Sequence, residues 1–92
     1  MNANRAEEIS LLAIGWLAGN EELLPIFLGA SGASLRDLKS GLTDPAIQGA
    51  VLDFLMMDDA WITAFCDGRG IPYEHPFMAR QALPGGSEVH WT

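Results

Sequence analysis

Glycines and helix-cap residues cut this sequence into short amphipathic stretches, and that punctuation is what most limits the folds open to it. Ile9, Leu12, Ala13, Trp16 and Leu17 recur at helical spacing and stop at Gly19. Asn4 with Glu7 three residues later forms the start of that helix, about four turns long. Asn20 then caps a second, short helix with Glu21 and Glu22 in its first turn and Leu23, Leu24, Phe27 and Leu28 as its stripe. Pro25 sits early enough in it to be tolerated. Gly29 to Ser34 reads as a loop, after which Ser34 and Asp37 open a third short helix with Leu35 and Leu38, ended by Gly41.

The pattern then restarts. Thr43-Asp44-Pro45 supplies a cap followed by proline at the first helical position, and a long helix carries Ile47, Val51, Leu52, Phe54 and Leu55 inward. Asp58 and Asp59 begin a short helix with Trp61, Ile62, Phe65 and Cys66, which Gly68 and Gly70 break. Pro72-Tyr73 leads into a last helix from about Phe77 to Leu83, and Pro84-Gly85-Gly86-Ser87 cannot continue it. A chain cut this way buries its apolar faces only by packing several short helices together. The expectation is an all-α compact bundle of five to six helices, one domain over residues 1–86, with an extended tail over 87–92.

Sliding the sequence against itself by thirty-eight residues places Ile9 on Ile47, Leu17 on Leu55, Phe27 on Phe65 and Gly32 on Gly70. Ala13 falls on Val51, Trp16 on Phe54, Asn20 on Asp58 and Leu24 on Ile62, so caps meet caps and core positions meet core positions. The reading is two similar three-helix halves, about 5–42 and 43–83, related by a pseudo-twofold axis.

Size and charge narrow the function. Of 92 residues, 49% are hydrophobic and 18% charged, far from the composition of disordered chains. A chain of this mass buries roughly 64 per cent of its surface, enough for one core and too little for two. Twelve acids against five bases leave a formal charge of −7, which sets the chain against nucleic acid and anionic membranes as partners. Arg36 and Lys39 on the third helix are the only hint of a DNA-binding element, and net charge opposes it. One cysteine allows no internal disulfide, and the acidic start Met1 to Glu8 does not resemble an export signal, so the expected compartment is the cytoplasm.

No constellation of residues points to catalysis. Gly29-Ala30-Ser31-Gly32 lacks the lysine and preceding strand of a phosphate-binding loop, and a capping loop explains it. Cys66 with His75 nine residues on would suit a thiolate nucleophile, but Cys66 beside Phe65 reads as a small buried apolar residue. One cysteine and two histidines with no paired spacing give no metal ligand set, so neither metal nor cofactor is expected. The carboxylates cluster at helix starts, where the helix dipole accounts for them. What stands out is apolar bulk in the second half: Met56, Met57, Tyr73, Phe77 and Met78, joined by Trp91 in the tail. Methionine and aromatic side chains are frequent at partner-binding surfaces.

Leu17-x-x-Asn20-Glu21-x-Leu23-Leu24-x-x-Phe27, Val51-Leu52-Asp53-Phe54-Leu55-x-x-Asp58 and Ala82-Leu83-Pro84-Gly85-Gly86 with His90-Trp91-Thr92 together resemble a domain-of-unknown-function family of small proteins found mainly in alphaproteobacteria. The likeness runs from about Glu7 to Thr92. It implies a short all-helical cytoplasmic protein of bacterial source, and it carries no activity and no site residues with it. The residues themselves favour a non-enzymatic protein-interaction module, binding an unknown partner or itself. The alternative is a small-molecule-binding protein with an apolar pocket between the halves near Trp16, Trp61 and Cys66.

Overall fold

In the computed structural model, which describes residues 1–84, the first helix begins two residues earlier than its sequence signal suggests. The Asn2 Oδ1 accepts the Arg5 backbone N–H at 2.8 Å, so α1 spans Ala3–Ala18 and Asn4 lies inside its first turn. Either asparagine can supply the acceptor that a free N–H needs, and the earlier one adds backbone bonds. Gly19 ends α1 with φ −90°, in the right-handed region instead of the left-handed one expected of a terminal glycine.

Asn20 does cap the second helix, its Oδ1 accepting the N–H groups of Glu22 and Leu23 at 3.0 and 2.9 Å. α2 spans Leu23–Ser31, and Pro25, third in it, removes an N–H that had no helical partner. The helix runs on through Gly29 and Ala30, residues that composition assigns to a loop. Its stop is Gly32, whose φ of 75° is open to glycine at little cost. α3, Leu35–Ser40, starts on a reciprocal box in which Ser34 N–H donates to Asp37 Oδ2 at 2.9 Å and Asp37 N–H donates to Ser34 Oγ at 3.1 Å. α4, Pro45–Leu55, is capped by Asp44 with proline at its first position. Asp58 caps α5, Asp59–Arg69, which passes through Gly68 and stops at Gly70 with φ 66°. α6 spans His75–Ala82. The fold is an all-α bundle of six helices, with no strand among the described residues.

α1 is the central helix. Ala6, Ile9, Ala13, Ile14 and Leu17 are buried on it, and its broadest interfaces are with α6 and then α4. The small side chains of Ala6, Ala13 and Ala79 suit a close approach of α1 and α6, and all three are fully buried. α4 adds Val51, Leu52, Phe54 and Leu55 to the same core. Arg80 ties α6 to α4: its Nε donates to Asp53 Oδ1 at 2.8 Å while its guanidinium lies over Gly49, where a Cβ would stand 2.9 Å from Cζ. The buried Gln48 donates through Nε2 to the Leu42 carbonyl at 2.7 Å, so its amide donor is satisfied and the α3–α4 link is held against the core.

Aromatic rings make the same contact twice. Trp16 meets Phe65 edge-on at 5.8 Å between centroids, and Phe54 meets Phe27 edge-on at 5.3 Å. Trp16 and Phe54 are thirty-eight residues apart, as are Phe27 and Phe65, so the two contacts are related by the offset at which the sequence pattern restarts. Gly32 and Gly70, at the same offset, both end a helix with positive φ. The third helices depart from this pattern. α6 packs on both α1 and α4, whereas α3 has no comparable interface with any helix and buries only Leu38.

Candidate interaction surface

The second-half side chains that sequence singles out divide into separate places. Met56 is the C-cap of α4 and packs half-buried against the core. Met57, next in the chain, is 77% exposed and lines a groove of about 260 Å³ between α2 and α4 with Phe27, Ala30, Ala50, Asp53 and Phe54. Tyr73, in the α5–α6 connection, lines a different depression with Cys66, Asp67 and Ile71, sharing no residue with the first. Phe77 and Met78 are exposed on α6. Trp91 and the rest of the tail lie outside the described residues.

The depression beside Tyr73 has the polarity of a structural link. Tyr73 Oη donates to Asp67 Oδ1 at 2.6 Å, and that bond, then the carboxylate's charge, pushes the phenol's pKa up from its ordinary value. The Cys66 thiol donates to the Pro72 carbonyl at 3.8 Å and not to His75. Burial, followed by the negative charges of Asp67 and Glu74, pushes the thiol's pKa up. The contact with Pro72 closes the α5–α6 turn, and burial beside two carboxylates disfavours the thiolate form. His75 is half-buried at the start of α6, and its Nδ1 has no hydrogen-bond partner among the described residues. Among those residues no three His, Cys, Asp or Glu side chains gather as a metal-holding group.

Around Trp16, Trp61 and Cys66, rings face rings. Trp16 abuts Phe65, and Trp61 stacks on Phe54 at 4.7 Å with 26° between planes. Both indoles pack half-buried against the core, in which Cys66 and Phe65 are buried.

Sequence reasoning missed apolar surface in the first half. Leu11, Ile26, Leu35 and Leu42 are all exposed. Leu11 stands off the inward stripe of α1 and, with Gly15 and Ala18, forms a second face at spacings of four and three residues. That face and Leu38, Lys39 and Leu42 enclose a groove of about 430 Å³ between α1 and α3. The signal was present in the spacing, but two of its three α1 positions are small residues that carry little hydrophobic weight.

No single helix among the described residues is long and apolar enough to cross a membrane, and the consecutive pair α1 and α2 is bent by 111°. Comparison with curated proteins and with solved structures gives no match. The model of a family described as "protein of unknown function (DUF3572)" matches residues 3–86, which takes in all six helices and the Leu83-Pro84-Gly85-Gly86 element but stops short of His90-Trp91-Thr92. The chain belongs to that family of proteins of unknown function.

Proposed function

We propose that this chain is a non-enzymatic protein-interaction module of the bacterial cytoplasm. The observation that carries the reading is the set of large apolar side chains left in water by a core that closes without them. Met57 is 77% exposed, Phe77 57% and Tyr73 55%, while Phe27, Phe65, Leu17 and Leu52 are fully enclosed. Methionine and aromatic side chains are enriched at the surfaces where proteins meet partners. The alternative, a small-molecule pocket between the halves at Trp16, Trp61 and Cys66, draws less support, because ring-on-ring contacts occupy that region.

The test is affinity capture of the tagged full chain from lysate of its source organism, with mass spectrometry of co-eluting proteins and small molecules. The expected result is a stoichiometric protein partner that is lost with Phe77→Asp, Leu42→Asp or both. A preparation that carries a tightly held small molecule and no protein sinks the module reading in favour of the pocket.

A further inference from the structure

We propose that residues 32–41, which carry α3, form a lid that opens by itself while α1, α4 and α6 stay packed, and that Leu38 is its latch. The proposal holds whether or not the chain binds a partner.

The anchoring of α3 is thin. Leu38 is its one buried residue, while Leu35 at its start is exposed. Its capping box joins Ser34 to Asp37, and the Ser40 hydroxyl and the Gly41 N–H both donate to the Asp37 carbonyl, so its bonds close on themselves. Among the described residues no hydrogen bond or ion pair joins α3 to another helix. An element held by few buried contacts opens at lower free energy than the core it covers.

Both ends of the segment are fixed, which makes it a lid and not a loose loop. At one end Gly32 donates its N–H to the Leu28 carbonyl and closes α2, and its positive φ with open space around it suits a pivot. At the other end the Gln48 amide holds the Leu42 carbonyl at 2.7 Å, and Gly41 lies against Ile47.

The second half shows a third helix that is fastened. There Arg80 on α6 donates to Asp53 on α4 and lies over Gly49. Thirty-eight residues earlier those three positions are Leu42, Gly15 and Leu11, and all three line the α1–α3 groove. The first half keeps a buried residue, Leu38 standing where Pro76 stands, and has neither donor nor acceptor for the clasp. Opening therefore costs the burial of Leu38 and breaks no ion pair, and it widens the apolar groove along Leu11, Ile14 and Ala18 of α1. Detached, six residues are too few to hold a helix in water, so opening frees the α3 N–H groups to exchange with solvent.

The test is native-state hydrogen exchange of the full chain, followed by NMR in rising concentrations of urea below the unfolding transition. The Leu38 and Gly41 N–H groups, bonded to the Ser34 and Asp37 carbonyls, report the lid, and those of Ala13 in α1 and Leu52 in α4 report the core. The expected result is protection at least about 100-fold lower in the lid than in the core, with a urea dependence that is measurable but well below the core's. Leu38→Ala speeds lid exchange at least about tenfold. Phe65→Leu, which weakens the contact with Trp16 on the α5 side of the core, speeds core exchange and leaves the lid rate unchanged. Should Leu38→Ala fail to fold, Leu38→Val loosens the same latch by less and is read the same way.

Equal protection and equal urea dependence in lid and core mean that α3 opens only when the whole chain unfolds, and they overturn the proposal. Lid exchange that ignores both urea and the Leu38 substitution is fraying of a short helix and overturns it equally. So does a lid rate that rises in step with the core's in Phe65→Leu.

Discussion

Cys66 shows how one side chain's surroundings fix both its chemistry and its pH behaviour. Its pKa is raised from 9.0 chiefly by burial, so the folded chain holds the thiol proton at a pH where the unfolded chain has released it. Stability attributable to this group is therefore complete below pH 9 and is lost as pH climbs from there toward the folded-state value. Tyr73 acts in the same direction from 10.0 upward. Urea unfolding at several pH values will show a decline above pH 9 that is shallower in Cys66→Ala; an identical decline in that variant refutes the assignment. Gly41 makes an independent prediction. A Cβ there would lie 2.6 Å from Ile47 Cγ1 and 2.8 Å from the Asp37 carbonyl, so Gly41→Ala has to move backbone or a packed side chain. The expected cost is about 1–3 kcal/mol, measured by denaturant melts, and a neutral result would show that the α3–α4 junction shifts freely.

Among the helices, boundaries set by side-chain caps are legible in the sequence except at α1, where Asn2 and not Asn4 is the cap, and boundaries set by glycine are legible only in part. Ser34 with Asp37, Asp44 before Pro45, and Asp58 each announce a helix start, because an acceptor facing free N–H groups is a local event that spacing reveals. Gly29 and Gly68 read as stops yet lie inside α2 and α5, since the tertiary contacts of those helices outweigh the roughly 1 kcal/mol that an interior glycine costs. The inward stripes are legible for the same local reason, whereas the α1–α3 groove depends on how two helices meet and is not. The reciprocal contacts of Trp16 with Phe65 and Phe54 with Phe27 bear on the repeat. If the halves are equivalent, Phe27→Ala and Phe65→Ala each cost about 3–5 kcal/mol and by similar amounts, because both rings are buried and each meets one edge partner from the other half. A large loss at one and a small loss at the other would mean that the likeness of sequence does not extend to energetics.

For the molecule as a whole, the decisive quantity is the balance between net charge and size. A formal charge of −7 sits on a body whose principal extents are 32 × 29 × 23 Å, and the two ion pairs among its described residues are at least partly exposed. At about 0.01 M salt the screening length is about 30 Å, so every acid feels every other across the whole fold. At about 0.15 M it falls to about 8 Å and leaves only near neighbours coupled. Salt therefore relieves repulsion that unfolding would also relieve, and it weakens two exposed pairs worth little each. Repulsion is the larger effect, so Tm rises between those two concentrations of sodium chloride, which are low enough for specific salt effects to stay small. Each 1 kcal/mol of relieved repulsion corresponds to about 4–8 °C for a domain of this length. Calorimetry across the range will show the rise, and substituting Glu21→Gln and Glu22→Gln, two exposed acids outside those pairs, will reduce it. A Tm that falls with salt would mean that local pairings outweigh the net charge, and would place the stability of the fold in contacts such as Arg80 with Asp53 that tie α6 to α4.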